Sequence, residues 1–112
     1  MKKIEAIIRK SRFKAVKEAL HAIGVTFFTY WDVTGVGNEK KGAVYRGISY
    51  STSDIQRRYL SIVVSNEFEE KTITTLIDAA KTGEVGDGKV FVSDIAETYR
   101  IRTGEKGSQA LN

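Results

Sequence analysis

Apolar residues change period twice along this chain, in the same order both times. Residues 2–9 (KKIEAIIR) alternate and place Ile4, Ala6 and Ile8 on one face, as in a strand with one buried side. Phe13, Val16, Leu20 and Ile23 then recur at helical spacing, with Ser11 placed to cap the first turn and Gly24 to close the last. Residues 25–33 (VTFFTYWDV) are β-branched and aromatic and read as a second strand. After an aperiodic stretch the change repeats. Residues 59–64 (YLSIVV) read as a strand, Asn66 and Glu69 are spaced as a capping box, and Phe68, Ile73, Leu76, Ile77 and Ala80 mark the inner face of a second helix that stops at Thr82-Gly83. Two short strands at 89–93 and 98–102 complete the chain, before a final ten residues that read as a mobile tail. The order β-α-β-loop-β-α-β-β predicts an α+β, ferredoxin-like split βαβ fold, with one antiparallel sheet and both helices on one face. Phe27, Tyr30, Trp31 and Phe91 offer more aromatic surface than one small sheet needs. Self-association is therefore expected.

Composition excludes several classes of function. With no Cys there is neither a disulfide nor a thiolate metal site, and the single His21 makes no histidine cluster. No run of 18 apolar residues is present, so no membrane-spanning helix is expected. The first residues, MKKIEAIIRK, are broken by Glu5 and Arg9 and do not read as a signal peptide. A cytoplasmic location is expected. Net charge is +4, but 18 basic and 14 acidic residues are interspersed, as on a solvated surface rather than a nucleic-acid face. The 112 residues read as one domain without a linker. No Ser–His–Asp grouping or paired-acid motif is evident, so an enzyme is not expected.

Three segments are candidates for chemistry. Gly83-Glu84-Val85-Gly86-Asp87-Gly88-Lys89 spaces its glycines so that backbone N–H groups can converge on phosphate, with Lys89 at the rim. A tight turn into a strand would explain the same residues. Arg100 and Arg102, two apart on a predicted strand, would share a face. Paired guanidinium groups call for a polyphosphate or for carboxylate partners. Residues 35–58 contain four glycines and five basic residues against two acidic ones, without strand or helix periodicity. A loop this long in a small domain is usually functional; a long hairpin is the structural alternative. Tyr45, Arg46, Gly47 and Tyr50 stand at its centre, and Tyr and Arg are common interface anchors.

Taken in order, MKKIEAIIR, GVG at 35–37, YRGISY at 45–50, KTGEVGDGKVFVS at 81–93 and YRIRTGE at 99–105 make the chain resemble the nitrogen-regulatory PII signal-transduction proteins over nearly its whole length. The resemblance is to the type that regulates ammonium transporters. It makes 35–57 the T-loop, 82–88 the B-loop and 103–112 a C-terminal tail. It implies a homotrimer binding ATP or ADP between subunits. Gly86, Asp87, Gly88 and Lys89 would hold phosphates, Arg100 and Arg102 would reach them from a neighbouring subunit, Thr29 and Val63 would line the adenine pocket, and Gly35, Gly37 and Asn38 would lie where the T-loop meets the nucleotide. The family also binds Mg²⁺ and 2-oxoglutarate at the T-loop base. Here the usual Gln is Glu39, the usual Lys aligns with Arg57 and a usual Glu with Ser61, while the tyrosine motif lies one residue early. These departures leave Mg²⁺-ATP binding expected, with Glu39 on the metal, and 2-oxoglutarate binding weak or absent. Tyr45 and Arg46 would contact the transporter, and Tyr50 matches a tyrosine that some members have uridylylated.

A ferredoxin-like RNA-binding module is the main rival. It would need a glycine-aromatic string on the central strands, which Lys89-Val90-Phe91-Val92 does not supply. An acylphosphatase-like enzyme would need an Arg/Asn loop that is not evident.

Overall fold

The computed structural model describes the backbone of residues 1–37, 39–45, 48–51 and 54–111, and the side chains of 1–37 and 54–111. Its elements run β1 (Lys2–Ile8), α1 (Phe13–Ala22), β2 (Thr29–Val36), β3 (Glu39–Tyr45), β4 (Ile48–Ser51), β5 (Asp54–Val64), α2 (Glu69–Ala80) and β6 (Lys89–Asp94). Strands β2-β5-β1-β6 form a four-stranded, fully antiparallel sheet. Both helices cross one face. This is the expected split βαβ arrangement.

The register explains the core. Ile4 lies opposite Ile62 and Ala6 opposite Leu60, so the alternating residues of β1 and β5 meet on one face. There Ile4, Ala6, Ile8, Leu60, Ile62 and Val64 are buried against Phe13, Val16 and Leu20 of α1 and Leu76 and Ala80 of α2. Burying a side chain such as Leu60 stabilises the fold by about 1.5–3 kcal/mol. Gly24 closes α1 as expected. With φ +92° it turns the chain so that its N–H meets His21 O at 3.0 Å, while Val25 N–H meets Leu20 O at 2.9 Å. This is the paired closure of a Schellman motif.

Several expectations are corrected. Ser11 does not cap α1: it lies inside a 3-10 turn, Lys10–Arg12, and no side chain caps the helix. Asn66 is likewise part of a 3-10 turn before α2 and accepts a hydrogen bond from the Met1 ammonium at 2.9 Å instead of capping. The inner stripe of α2 is Thr72, Leu76 and Ala80, with Ile73 and Ala79 partly buried beside it. Phe68 and Ile77 face outward, 39% and 44% exposed: Phe68 lies in the 3-10 turn, and Ile77 is at the margin of the Thr72–Leu76–Ala80 stripe. The strand predicted at 25–33 is β2, shifted to 29–36, since Val25–Phe28 are used in returning from α1 to the sheet edge. The predicted strand at 98–102 is absent: one bridge, Tyr99 to Lys106, closes a turn instead. The tail docks through a 3-10 turn, Ser108–Leu111, with Gly107 N–H on Thr98 O at 3.0 Å.

The segment read as aperiodic loop is largely strand. β5 begins at Asp54, pairing Asp54–Arg58 with Asp32–Val36, and β3 and β4 form a hairpin with an irregular register between Lys40 and Tyr45. Ladders at the end of a hairpin need only backbone partners, so apolar alternation does not announce them. The side chains of Glu39, Tyr45 and Tyr50, and all of Asn38 and Arg46, lie outside the described residues.

Candidate functional site

The face of the sheet opposite the helices is uncovered in the single chain. Rows of side chains cross it: Trp31, Tyr59, Ile7 and Lys89 in one, and Thr29, Ser61, Glu5 and Phe91 in the next. Trp31 stacks on Tyr59 with ring centroids 4.7 Å apart and an 18° interplanar angle. The Tyr59 hydroxyl donates to Glu5, and that carboxylate pushes the phenol above its ordinary value. Trp31 and Phe91 stay 44% and 47% exposed on this face, and Phe27, just before β2, is 73% exposed, a larger apolar display than a solvated surface needs. Tyr30, expected with them, points to the helix side and packs on Phe13 at 4.5 Å.

At one end of this face, the start of β5 and the ends of β1 and β2 meet the 82–88 loop. Asp87 organises that loop. Its carboxylate accepts from Thr82 N–H at 2.8 Å, Gly83 N–H at 2.9 Å, Arg9 Nε at 3.0 Å and the Thr82 hydroxyl. These donors, Thr82 foremost, hold the Asp87 carboxyl far below the ordinary carboxylate range. The side chain of Asp87 is therefore engaged within the loop. Two guanidinium groups reach the loop's carbonyls: Arg9 Nη2 meets Val85 O at 2.9 Å, and Arg57 Nη2 meets Gly86 O at 3.0 Å while its Nη1 meets Gln56 O at 2.8 Å. Gly86 and Gly88 have φ of +103° and +105°, and Gly88 lies against the β1 backbone just before Lys89 enters β6. Gly35 and Gly37 end β2 beside Ile55. The structure thus brings Gly35, Gly37, Arg57, Gly86, Asp87, Gly88 and Lys89 to one end of the sheet.

Thr29 and Val63 belong to the other end. Val63 also borders an open cavity of about 320 Å³ shared with Thr26, Phe27, Ser108 and Leu111. Arg100 is not on a strand with Arg102. It precedes the turn closed by Gly104 N–H on Arg100 O at 2.8 Å, and its guanidinium donates to Glu105 at 2.9 Å and to Gln109 O at 3.0 Å. Glu105 is thus a carboxylate partner of the kind the sequence pattern called for. Arg102 lies exposed in the turn itself. Among the described residues no group of His, Asp and Glu is arranged to hold a metal, and no helix is long and apolar enough to cross a membrane.

Sequence reasoning missed Arg9, Thr82 and Glu105. A signal for Arg9 exists only once β1 and β6 are known to pair: Ile7 opposite Lys89 carries Arg9 to the level of Asp87.

The depressed Asp87 carboxyl makes a pH prediction. Its loop bonds are fully present above the ordinary value of 3.8 and are lost as pH falls through the lower folded value. The amide resonances of Thr82 and Gly83 are expected to hold steady from neutral pH down to about pH 4 and to shift together only well below it. A midpoint at or above the ordinary carboxylate value would contradict the geometry.

Residues 1–105 match the family model "Nitrogen regulatory protein P-II". The chain is 41% identical to the nitrogen regulatory protein P-II of Azospirillum brasilense, over 99% of this chain and 100% of that one. It is 42% identical to P-II 1 of Methanothermobacter thermautotrophicus, over 99% of this chain and 97% of that one. P-II 1 of Escherichia coli K12 is 40% identical over 99% and 100%. Among solved structures, Arabidopsis thaliana PII bound to citrate superposes with a TM-score of 0.81 at 35% identity, covering 98% of this chain and 88% of that one.

Proposed function

The chain belongs to the nitrogen regulatory protein P-II family, and from that premise we propose that this regulatory protein acts as a homotrimer that binds ATP or ADP between its subunits. The observation that carries the reading is a separation. Arg57 and Val63 both point to the open face of β5, six residues and about 20 Å apart. The loop that suits phosphate lies by Arg57, and the purine-side residues Thr29 and Val63 lie at the other end. In this reading each nucleotide is held at its two ends by different copies of the chain. A second copy on the exposed Phe27, Trp31 and Phe91 surface would bring its own purine end to the first copy's phosphate end. Arg100 donates to Gln109 O in the tail turn, whose Ser108 and Leu111 share a cavity with Val63; with Arg102 it would reach the phosphates from that second copy.

In this reading Gly86, Asp87 and Gly88 present backbone N–H groups to phosphate, and Lys89 adds a charge. Gly35, Gly37 and Asn38 meet the nucleotide, and Glu39 takes part in holding Mg²⁺. The segment 35–57 carries the signal to a target, proposed to be an ammonium transporter contacted by Arg46 and Tyr45, with Tyr50 as a uridylylation site. Such a protein is a regulator rather than an enzyme. A cytoplasmic protein at a transporter's inner mouth fits this role, with no insertion into the membrane. The RNA-binding reading gains no support from the relatives found.

Calorimetry with ATP and ADP, joined to light scattering, tests the proposal. Lys89→Ala and Arg100→Ala are each expected to weaken ATP binding by about 1.5–3 kcal/mol, the value of a charge-assisted hydrogen bond. A monomer that binds ATP tightly, or full affinity in both variants, would sink it.

A further inference from the structure

We propose that Arg9 is a positioning residue for anion recognition: it presets the 82–88 loop without contacting the anion. The inference rests on the nucleotide-binding reading above. Arg9 leaves β1 directly after the buried Ile8, so its origin is fixed by the sheet. Its guanidinium spans the loop, with Nε on Asp87 Oδ1 at 3.0 Å and Nη2 on Val85 O at 2.9 Å. Arg57 holds the next carbonyl, Gly86 O, at 3.0 Å. A trans peptide is planar, with its C=O and N–H pointing in opposite directions. Holding the Val85 and Gly86 carbonyls toward two guanidinium groups therefore aims the N–H groups of Gly86 and Asp87 the other way. Two successive N–H groups aimed outward form the kind of concavity that accepts a phosphate oxygen.

The two-point contact separates this role from a simple charge effect. Lysine keeps the charge but carries a single ammonium and cannot reproduce the fork. Arg9→Lys and Arg9→Gln are therefore expected to lower ATP affinity by similar factors, about tenfold or more. In the nucleotide-free protein both are expected to speed hydrogen exchange at the Thr82 and Gly83 amides and leave the exchange of β1 and β5 amides unchanged. If Arg9→Lys binds ATP like the wild type while Arg9→Gln does not, Arg9 acts by charge and the inference is overturned. Unchanged exchange at Thr82 and Gly83 overturns it too. A wild type that binds neither ATP nor inorganic triphosphate overturns the nucleotide reading and this inference together, whereas wild-type binding matched by both variants overturns this inference alone.

Discussion

Gly88→Ala is expected to destabilise the protein by about 3 kcal/mol or more, combining backbone strain with a steric clash. Gly88 has φ +105°, and a Cβ built there would stand 1.7 Å from Ile7 O and 2.8 Å from Ile7 C. Neither neighbour is the tip of a side chain that can rotate away. Ile7 is paired on one side with Tyr59 and on the other with Lys89, so its backbone is fixed by two ladders. The structure can respond only by opening the β1–β6 ladder at Lys89 or by turning the 82–88 loop out of shape. Either response moves the Gly86 and Asp87 N–H groups and the Lys89 side chain. Thermal unfolding at fixed protein concentration is expected to show a midpoint lower by roughly 10 °C or more, with ATP binding lost well before the melt. Gly83→Ala is the contrast: it has φ +89° but open space around a Cβ, so only backbone strain is added, about 1 kcal/mol. Equal midpoints for the two variants would show that the close approach to Ile7 is not what Gly88 provides.

Glu39→Gln is expected to strengthen 2-oxoglutarate binding by on the order of a hundredfold in the presence of Mg²⁺-ATP. The side chain of Glu39 lies outside the described residues, but its backbone begins β3 just beyond Gly37, at the end of the sheet that holds the 82–88 loop. Under the proposed function, Glu39 would add a negative charge where a triphosphate and a dicarboxylate are expected to meet. At about 5 Å and an effective dielectric near 20, one extra like charge costs about 3 kcal/mol. Mg²⁺ offsets part of this, since a carboxylate is a good ligand for it. Arg57, which aligns with the residue that would grip the dicarboxylate, is already engaged with Gly86 O and Gln56 O, and a new anion must compete with those carbonyls. Mg²⁺-ATP is expected to bind to the wild type, and the ATP/ADP ratio to be the quantity it reports. Calorimetry that finds micromolar 2-oxoglutarate binding by the wild type, unimproved by Glu39→Gln, would show that charge at this position does not govern the site.

The sequence by itself determined β1, the buried half of β5, and the apolar face of α1 that meets them. Ile4, Ala6 and Ile8 alternate, Phe13, Val16 and Leu20 recur at helical spacing, and burial follows those periods because apolar spacing is a local property of the chain. The Gly83–Lys89 loop was equally legible, since glycine and charge mark it without reference to neighbours. Helix starts were not: Ser11 and Asn66 have the right composition, but a 3-10 turn intervenes and hands Asn66 to the amino terminus, 65 residues away. The 98–102 strand failed for a related reason. Tyr99-Arg100-Ile101-Arg102 alternates, but its backbone partner is its own continuation at Lys106, so it closes as a turn and Arg100 finds Glu105. Only the tertiary structure decided that Arg9 and Arg57 hold the 82–88 loop and that this loop and Val63 lie toward opposite ends of β5. Those facts depend on strand order and register, which join residues 76 and 29 positions apart, and no local pattern in a single sequence encodes which distant strands become neighbours.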